Sequence, residues 1–313
     1  AASDVYKRQG TDRTLKGTKG TYNGESYDIG DYYLTDLERE NLERVAASFK
    51  KTIVVLNVGG IMDTKFYNEI NGLDAMLLMG QAGQEGGNAL LDVLTGAVTP
   101  SGKLADTWAE NYSDYPASDT FADADGNIKK EVYNEGIYVG YRYFDTFNIT
   151  PKYEFGYGLS YTDFKIETQS VTADADKVTV KVKVTNTGST YSGKEIVQVY
   201  YSAPDGIMEK PTQELAGFAK TKLLAPGEKD VVTITFATTD MVSFDAYDAA
   251  WVMEEGEYTI RVGNSSRNTE AVAVIDLDEQ VTTLQLKRLM RDTIAVRAVS
   301  YTHLRAHETR RHL

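Results

Sequence analysis

The hydrophobic pattern changes period once along this chain, and that change constrains the fold more than any other feature. Ile53-Val54-Val55-Leu56-Asn57-Val58 is a short apolar run, and Ala75-Met76-Leu77-Leu78-Met79 is a second. Such runs suit strands covered on both faces, as in a parallel sheet. From about Phe164 the pattern differs. Val178-Thr179-Val180-Lys181-Val182-Lys183-Val184 alternates strictly, as a strand with one wet face does. The expected class is α/β, a partial α/β sandwich with a parallel sheet and helices, followed by an all-β immunoglobulin-like sandwich.

Local signals agree. Thr35-Asp36-Leu37-Glu38 is a capping box, Thr then Glu three later. The helix it opens carries Leu42, Val45 and Phe49 on one face. Gly86-Gly87 opens a helix with Leu90, Leu91 and Leu94. Strand, loop, strand, glycine loop and helix form α/β layering, where ligands sit beyond the carboxyl ends of the strands. Gly59-Gly60 and the Gly80–Gly87 loop supply those ends. Neither GxxxxGK[ST] nor a GxGxxG after a strand is present, so a phosphate-binding reading of the glycines is weak. Residues 105–135 read as loop. Glu195–Tyr201, Val231–Phe236 and Glu257–Val262 read as further strands, and their spacing indicates a β-sandwich. Its strands show few outward aromatics in a row, and Trp251 stands alone.

Composition removes several function classes. The formal charge of -13 argues against nucleic acid, whose phosphates attract Lys and Arg. There is no cysteine, hence no disulfide framework or thiolate chemistry. The three histidines, His303, His307 and His312, all lie in the last stretch, so the body offers no histidine zinc site and no Ser-His-Asp triad. No stretch is long and apolar enough to span a membrane as a helix.

Glu135-Gly136-Ile137-Tyr138-Val139-Gly140-Tyr141-Arg142-Tyr143-Phe144-Asp145 and Phe155-Gly156-Tyr157-Gly158-Leu159-Ser160-Tyr161-Thr162 mix glycine and aromatics densely. Two readings stand. Flat rings beside close-approaching backbone suit the C–H face of a sugar, or the aromatics pack a loop between two layers.

With Ile53–Gly60, Gly83-Gln84-Glu85-Gly86-Gly87-Asn88-Ala89 and Pro100-Ser101-Gly102-Lys103-Leu104 in the same order, these motifs resemble the C-terminal part of bacterial glycoside hydrolase family 3. They are spread over roughly half the chain. The later strands resemble the fibronectin type III-like domain that follows in many members. The resemblance implies residues 10–165 as the family's C-terminal α/β domain, incomplete at its N-terminus. Residues 166–276 are then the fibronectin type III-like domain and 277–297 a linker. Segments 1–9 and 298–313 resemble translated adaptor sequence and are set aside from fold reasoning. The other reading of the second is a basic tail that binds a partner.

The resemblance implies part of a retaining β-glycosidase, β-glucosidase-like, acting on an oligosaccharide or aryl β-glycoside. It implies no cofactor and no metal, and neither a nucleic-acid nor a membrane partner. Retention needs two carboxyl groups about 5–5.5 Å apart, one nucleophile and one acid/base. The family's nucleophile is an Asp on a separate (β/α)-barrel domain, which this sequence does not contain. Its acid/base is a Glu, often within Glu-Gly-x-Asp-Arg. Gly10-Thr11-Asp12-Arg13 matches the last four positions, which makes Asp12 and Arg13 substrate-binding candidates. The Glu would fall at Gln9, and an amide cannot donate the proton. The rival acid/base is Glu25, in Asn23-Gly24-Glu25-Ser26-Tyr27-Asp28; the other reading of Glu25 is a solvated loop carboxylate. Glu85, at a helix N-terminus that favours its charged form, reads as structural. Ala105-Asp106-Thr107-Trp108 follows the Pro100–Leu104 turn where most relatives have Pro. With the aromatic motif it resembles the subgroup whose barrel follows the sandwich, and Asp278–Leu289 would then begin the connection. A non-catalytic carbohydrate-binding or adhesion module is the alternative function.

Overall fold

The computed structural model describes residues 32–120, 133 and 135–287, and the backbone alone of 19–22 and 25–28. Gln9, Asp12, Arg13 and the segments 1–9 and 298–313 lie outside the described residues. Strands β1 (Lys19–Tyr22) and β2 (Glu25–Asp28) form an antiparallel hairpin.

The α/β part begins with helix α1 (Asp36–Ser48). The capping box forms as expected: Glu38 N donates to Thr35 Oγ1 at 3.3 Å, and Thr35 N donates to Glu38 Oε2 at 2.9 Å. The expected apolar face differs in detail. Leu42 packs on the core with Ala46, whereas Val45 and Phe49 are exposed. The small side chain of Ala46 lets the helix approach the turn at Gly72 (φ +94°), where an added Cβ would lie 3.2–3.3 Å from Ala46. That close approach sets the helix rotation.

Strands β3 (Ile53–Leu56) and β4 (Ala75–Leu78) pair in parallel, Ile53 opposite Ala75 and Leu56 opposite Leu78. Between them α2 (Phe66–Glu69) buries Phe66, which packs with Val54, Leu56, Met62, Ile70 and Trp108. Helix α3 (Gly86–Leu94) follows the glycine loop. Strand β5 (Trp108–Ala109) pairs with β6 (Pro151–Tyr153), and the short helix α4 (Tyr141–Thr146) lies in the aromatic motif.

The second part is an antiparallel sandwich. One sheet has the order β10 (Glu214–Lys220), β9 (Ile196–Ser202), β14 (Gly256–Gly263), β15 (Thr269–Leu277). The facing sheet has the order β11 (Lys229–Ala237), β8 (Lys177–Asn186), β7 (Phe164–Ala173). Strict alternation on β8 puts Val178, Val180, Val182 and Val184 into the core against Val197, Val199, Ile260 and Val262. Strand β9 is buried on both faces, because Gln198 and Tyr200 point out of the sandwich and under the α/β part. A third sheet, β12 (Ser243–Asp245), β13 (Ala250–Met253) and β16 (Val281–Gln285), occupies one side of this part. The stretch read as the start of a connection thus includes β16, paired with β13.

Candidate functional site

The carboxyl ends of β3 and β4 are where an open parallel sheet places a ligand. The loop after β3 buries Met62, Asp63 and Thr64. Asp63 N donates to Tyr32 O at 2.7 Å, which ties the chain just beyond the β1–β2 hairpin to this end of the sheet. Asp63 Oδ1 has no hydrogen-bond partner among the described residues, and Lys65 Nζ stands 4.0 Å away. Burial raises the Asp63 pKa, with the Lys65 charge and a Lys65 backbone hydrogen bond opposing. Lys65 Nζ lies 5.9 Å from the centre of the Tyr33 ring and 3.3 Å from Asn111 Oδ1. Burial also pushes the Tyr32 hydroxyl well above its usual range. This end of the sheet therefore brings together a desolvated carboxyl, an ammonium and aromatic surface.

Glu25, the candidate acid/base, is the first residue of β2 and pairs with Tyr22; its side chain is not among those described. Asp12 and Arg13 lie outside the described residues. Glu85 immediately precedes α3, and its carboxylate accepts from Asn88 Nδ2 at 2.6 Å instead of capping the helix. Sequence reasoning passed over Asp63, Tyr32, Tyr33 and Lys65. The available signal was position: Asp63 follows Gly59-Gly60 by three residues, in a loop already assigned to the carboxyl end of β3.

The glycine-aromatic motifs take the packing role of the two readings. Tyr141 OH accepts from Leu215 N at 2.8 Å, and its ring lies 5.0 Å from Phe155 and 5.8 Å from Tyr200. Asp145 accepts from Arg267 Nε at 2.9 Å and from Gln213 Nε2 at 3.1 Å. Arg267 also donates to Phe144 O and Ile149 O. Gly156 (φ +86°) sits where a Cβ would come 2.5 Å from Gln198 Nε2 and 2.8 Å from Ser265 Cα. Tyr141, Asp145 and Gly156 all meet the sandwich.

Residues 6–141 match the glycosyl hydrolase family 3 C-terminal domain, and residues 195–266 match the fibronectin type III-like domain. This chain belongs to glycosyl hydrolase family 3. The match to the family's C-terminal domain begins ahead of Gln9 and runs into α4. The chain is 43% identical over 265 residues to Beta-glucosidase A of Butyrivibrio fibrisolvens, covering 78% of this chain and 31% of that protein. It is 40% identical over 279 residues to a β-glucosidase of Ruminococcus albus, covering 87% and 29%. A solved β-glucosidase from Paenibacillus barengoltzii superposes with a TM-score of 0.77 at 43% identity, covering 82% of this chain and 29% of that one. The chain spans about a third of the length of the curated relatives it matches.

Proposed function

We propose that this chain supplies the accessory part of the active site of a retaining β-glycosidase, β-glucosidase-like, that hydrolyses O-glycosidic bonds of oligosaccharides or aryl β-glycosides. What carries the reading is the extent of the match: relatives named β-glucosidase align over most of this chain but about a third of their own length. The nucleophilic Asp is supplied by a (β/α)-barrel domain beyond this sequence. Asp12 and Arg13 bind substrate beside the acid/base position. That position is Gln9 in this sequence, with Glu25 as the carboxylate that can compete for the role.

The packing of the α/β part supports the reading. Parallel sheets are covered on both faces, yet β3 and β4 form a two-stranded sheet with Ile53 and Leu78 exposed, and α3 leaves Leu91 and Leu94 exposed. Among the described residues these side chains form an apolar face that another domain can cover.

A chimaera tests the assignment. The segment of the Butyrivibrio relative that this chain matches is replaced by the present sequence, and hydrolysis of p-nitrophenyl β-glucoside is measured. The expected result is weak activity that Gln9→Glu raises by several orders of magnitude, while Glu25→Gln leaves the Gln9→Glu enzyme unchanged. Activity insensitive to Gln9→Glu and abolished by Glu25→Gln moves the acid/base to Glu25.

A further inference from the structure

Trp251 is not alone once strand register is known. Phe244 on β12 lies directly opposite Trp251 on β13, and Trp251 lies opposite Leu284 on β16. The three form one row across the third sheet, exposed by 44%, 37% and 52%. The Phe244 and Trp251 rings are 5.1 Å apart and tilted by 53°. The sheet beneath is tied down: Thr283 Oγ1 donates to Trp251 O at 3.2 Å, and Gln285 Nε2 donates to Asp248 O at 2.7 Å.

We infer that this row is a binding platform for a soluble β-linked glucan chain. Three arguments select that ligand. Pyranose rings present C–H faces that pack on aromatic rings, and the Phe244–Trp251–Leu284 row carries no charge, so it suits a neutral ligand better than an ionic one. A stable protein partner needs about 800 Å² on each side and some 20–30 residues, far more than three side chains supply. Two rings tilted by 53° cannot both lie against a flat crystalline surface, but they can follow a twisted single chain. The choice of a glucan rests on the β-glycosidase reading; the platform itself does not.

Trp251 is its own reporter, since the other tryptophan, Trp108, is buried in the α/β core. Cellohexaose titrated into the 313-residue chain should give a saturable change in tryptophan emission, with a Kd on the order of 0.1–10 mM. Phe244→Ala keeps the reporter and should weaken binding about tenfold or more. Trp251→Ala should abolish retardation in gels containing soluble β-glucan, and Trp251→Phe should restore part of it. Near-ultraviolet circular dichroism checks that each variant stays folded. No saturable change, or undiminished binding by folded Phe244→Ala and Trp251→Ala, overturns the proposal. Neither result bears on the chimaera's hydrolysis, so the two readings fail independently.

Discussion

Lys103 of the Pro100–Leu104 turn reaches out of the α/β part and meets Glu195 of the sandwich at 3.0 Å, with side chains only 10% and 7% exposed. Lys103 Nζ also donates to Gly158 O at 3.0 Å. Asn264 Nδ2 donates to the second Glu195 oxygen at 3.3 Å, and Ile196 N donates to the first at 2.8 Å. The pair is desolvated but fully engaged, the condition under which removing one partner costs most. Lys103→Met should destabilise the chain by about 3–5 kcal/mol. Denaturant unfolding followed by tryptophan fluorescence checks this, and a loss under about 1 kcal/mol contradicts a buried, engaged pair.

Arg267 makes the second crossing. Its guanidinium binds Asp145 and two carbonyls, Phe144 O and Ile149 O. Arg267→Ala should cost about 2–3 kcal/mol. Arg267→Lys should rescue little, because an ammonium cannot reproduce the planar fork. Hydrogen exchange at residues 144–149 should rise in both variants; rescue by Lys would show that charge alone matters there.

Gly156→Ala should be poorly tolerated. The new Cβ meets Gln198 Nε2 and Ser265 Cα inside van der Waals contact, at a φ of +86° that L residues rarely adopt. A loss of about 1–3 kcal/mol is expected from overpacking alone, read as a lowered Tm. An unchanged Tm would mean that the two parts are not held as closely as the structure has them.

The loop between β9 and β10 should respond to pH through Glu254. Lys210 and the backbone N–H groups of Ile207 and Met208 donate to the Glu254 carboxylate. Burial pushes the Glu254 carboxyl up, but these hydrogen bonds outweigh it and hold the pKa below the usual range. A lowered folded pKa means that the stabilisation is complete above the ordinary glutamate value of about 4.3 and is lost as pH falls through the lower folded value. Exchange protection of the Ile207 and Met208 amides should hold down to the ordinary glutamate range and drop only as pH falls below it. Glu254→Gln should lose that protection at neutral pH as well; protection unaffected by acid or by the substitution would contradict the role of Glu254.

Some of this was legible in the sequence because it is local. The capping box, the parallel pairing of Ile53–Leu56 with Ala75–Leu78, and the wet-face alternation of Val178–Val184 are periodicities or short motifs, and periodicity follows burial. What was not legible depends on neighbours distant in sequence. The two readings of the aromatic motif separate only when Tyr141 is seen against Leu215 and Tyr200. The Phe244–Trp251–Leu284 row runs across strands, so no scan along one strand finds it. The rotation of α1 depends on Gly72, 26 residues beyond Ala46. Asp63 escaped notice because one carboxyl in a loop carries no pattern.

The central claim, that this chain holds an accessory part of a glycosidase and not a whole catalytic centre, is tested most directly by assaying the purified chain alone on p-nitrophenyl β-glucoside. No measurable release of nitrophenol is expected, because losing the nucleophile and the acid costs several orders of magnitude in rate. Release by the chain alone that Glu25→Gln abolishes would contradict it, placing both the acid and a nucleophile within these 313 residues.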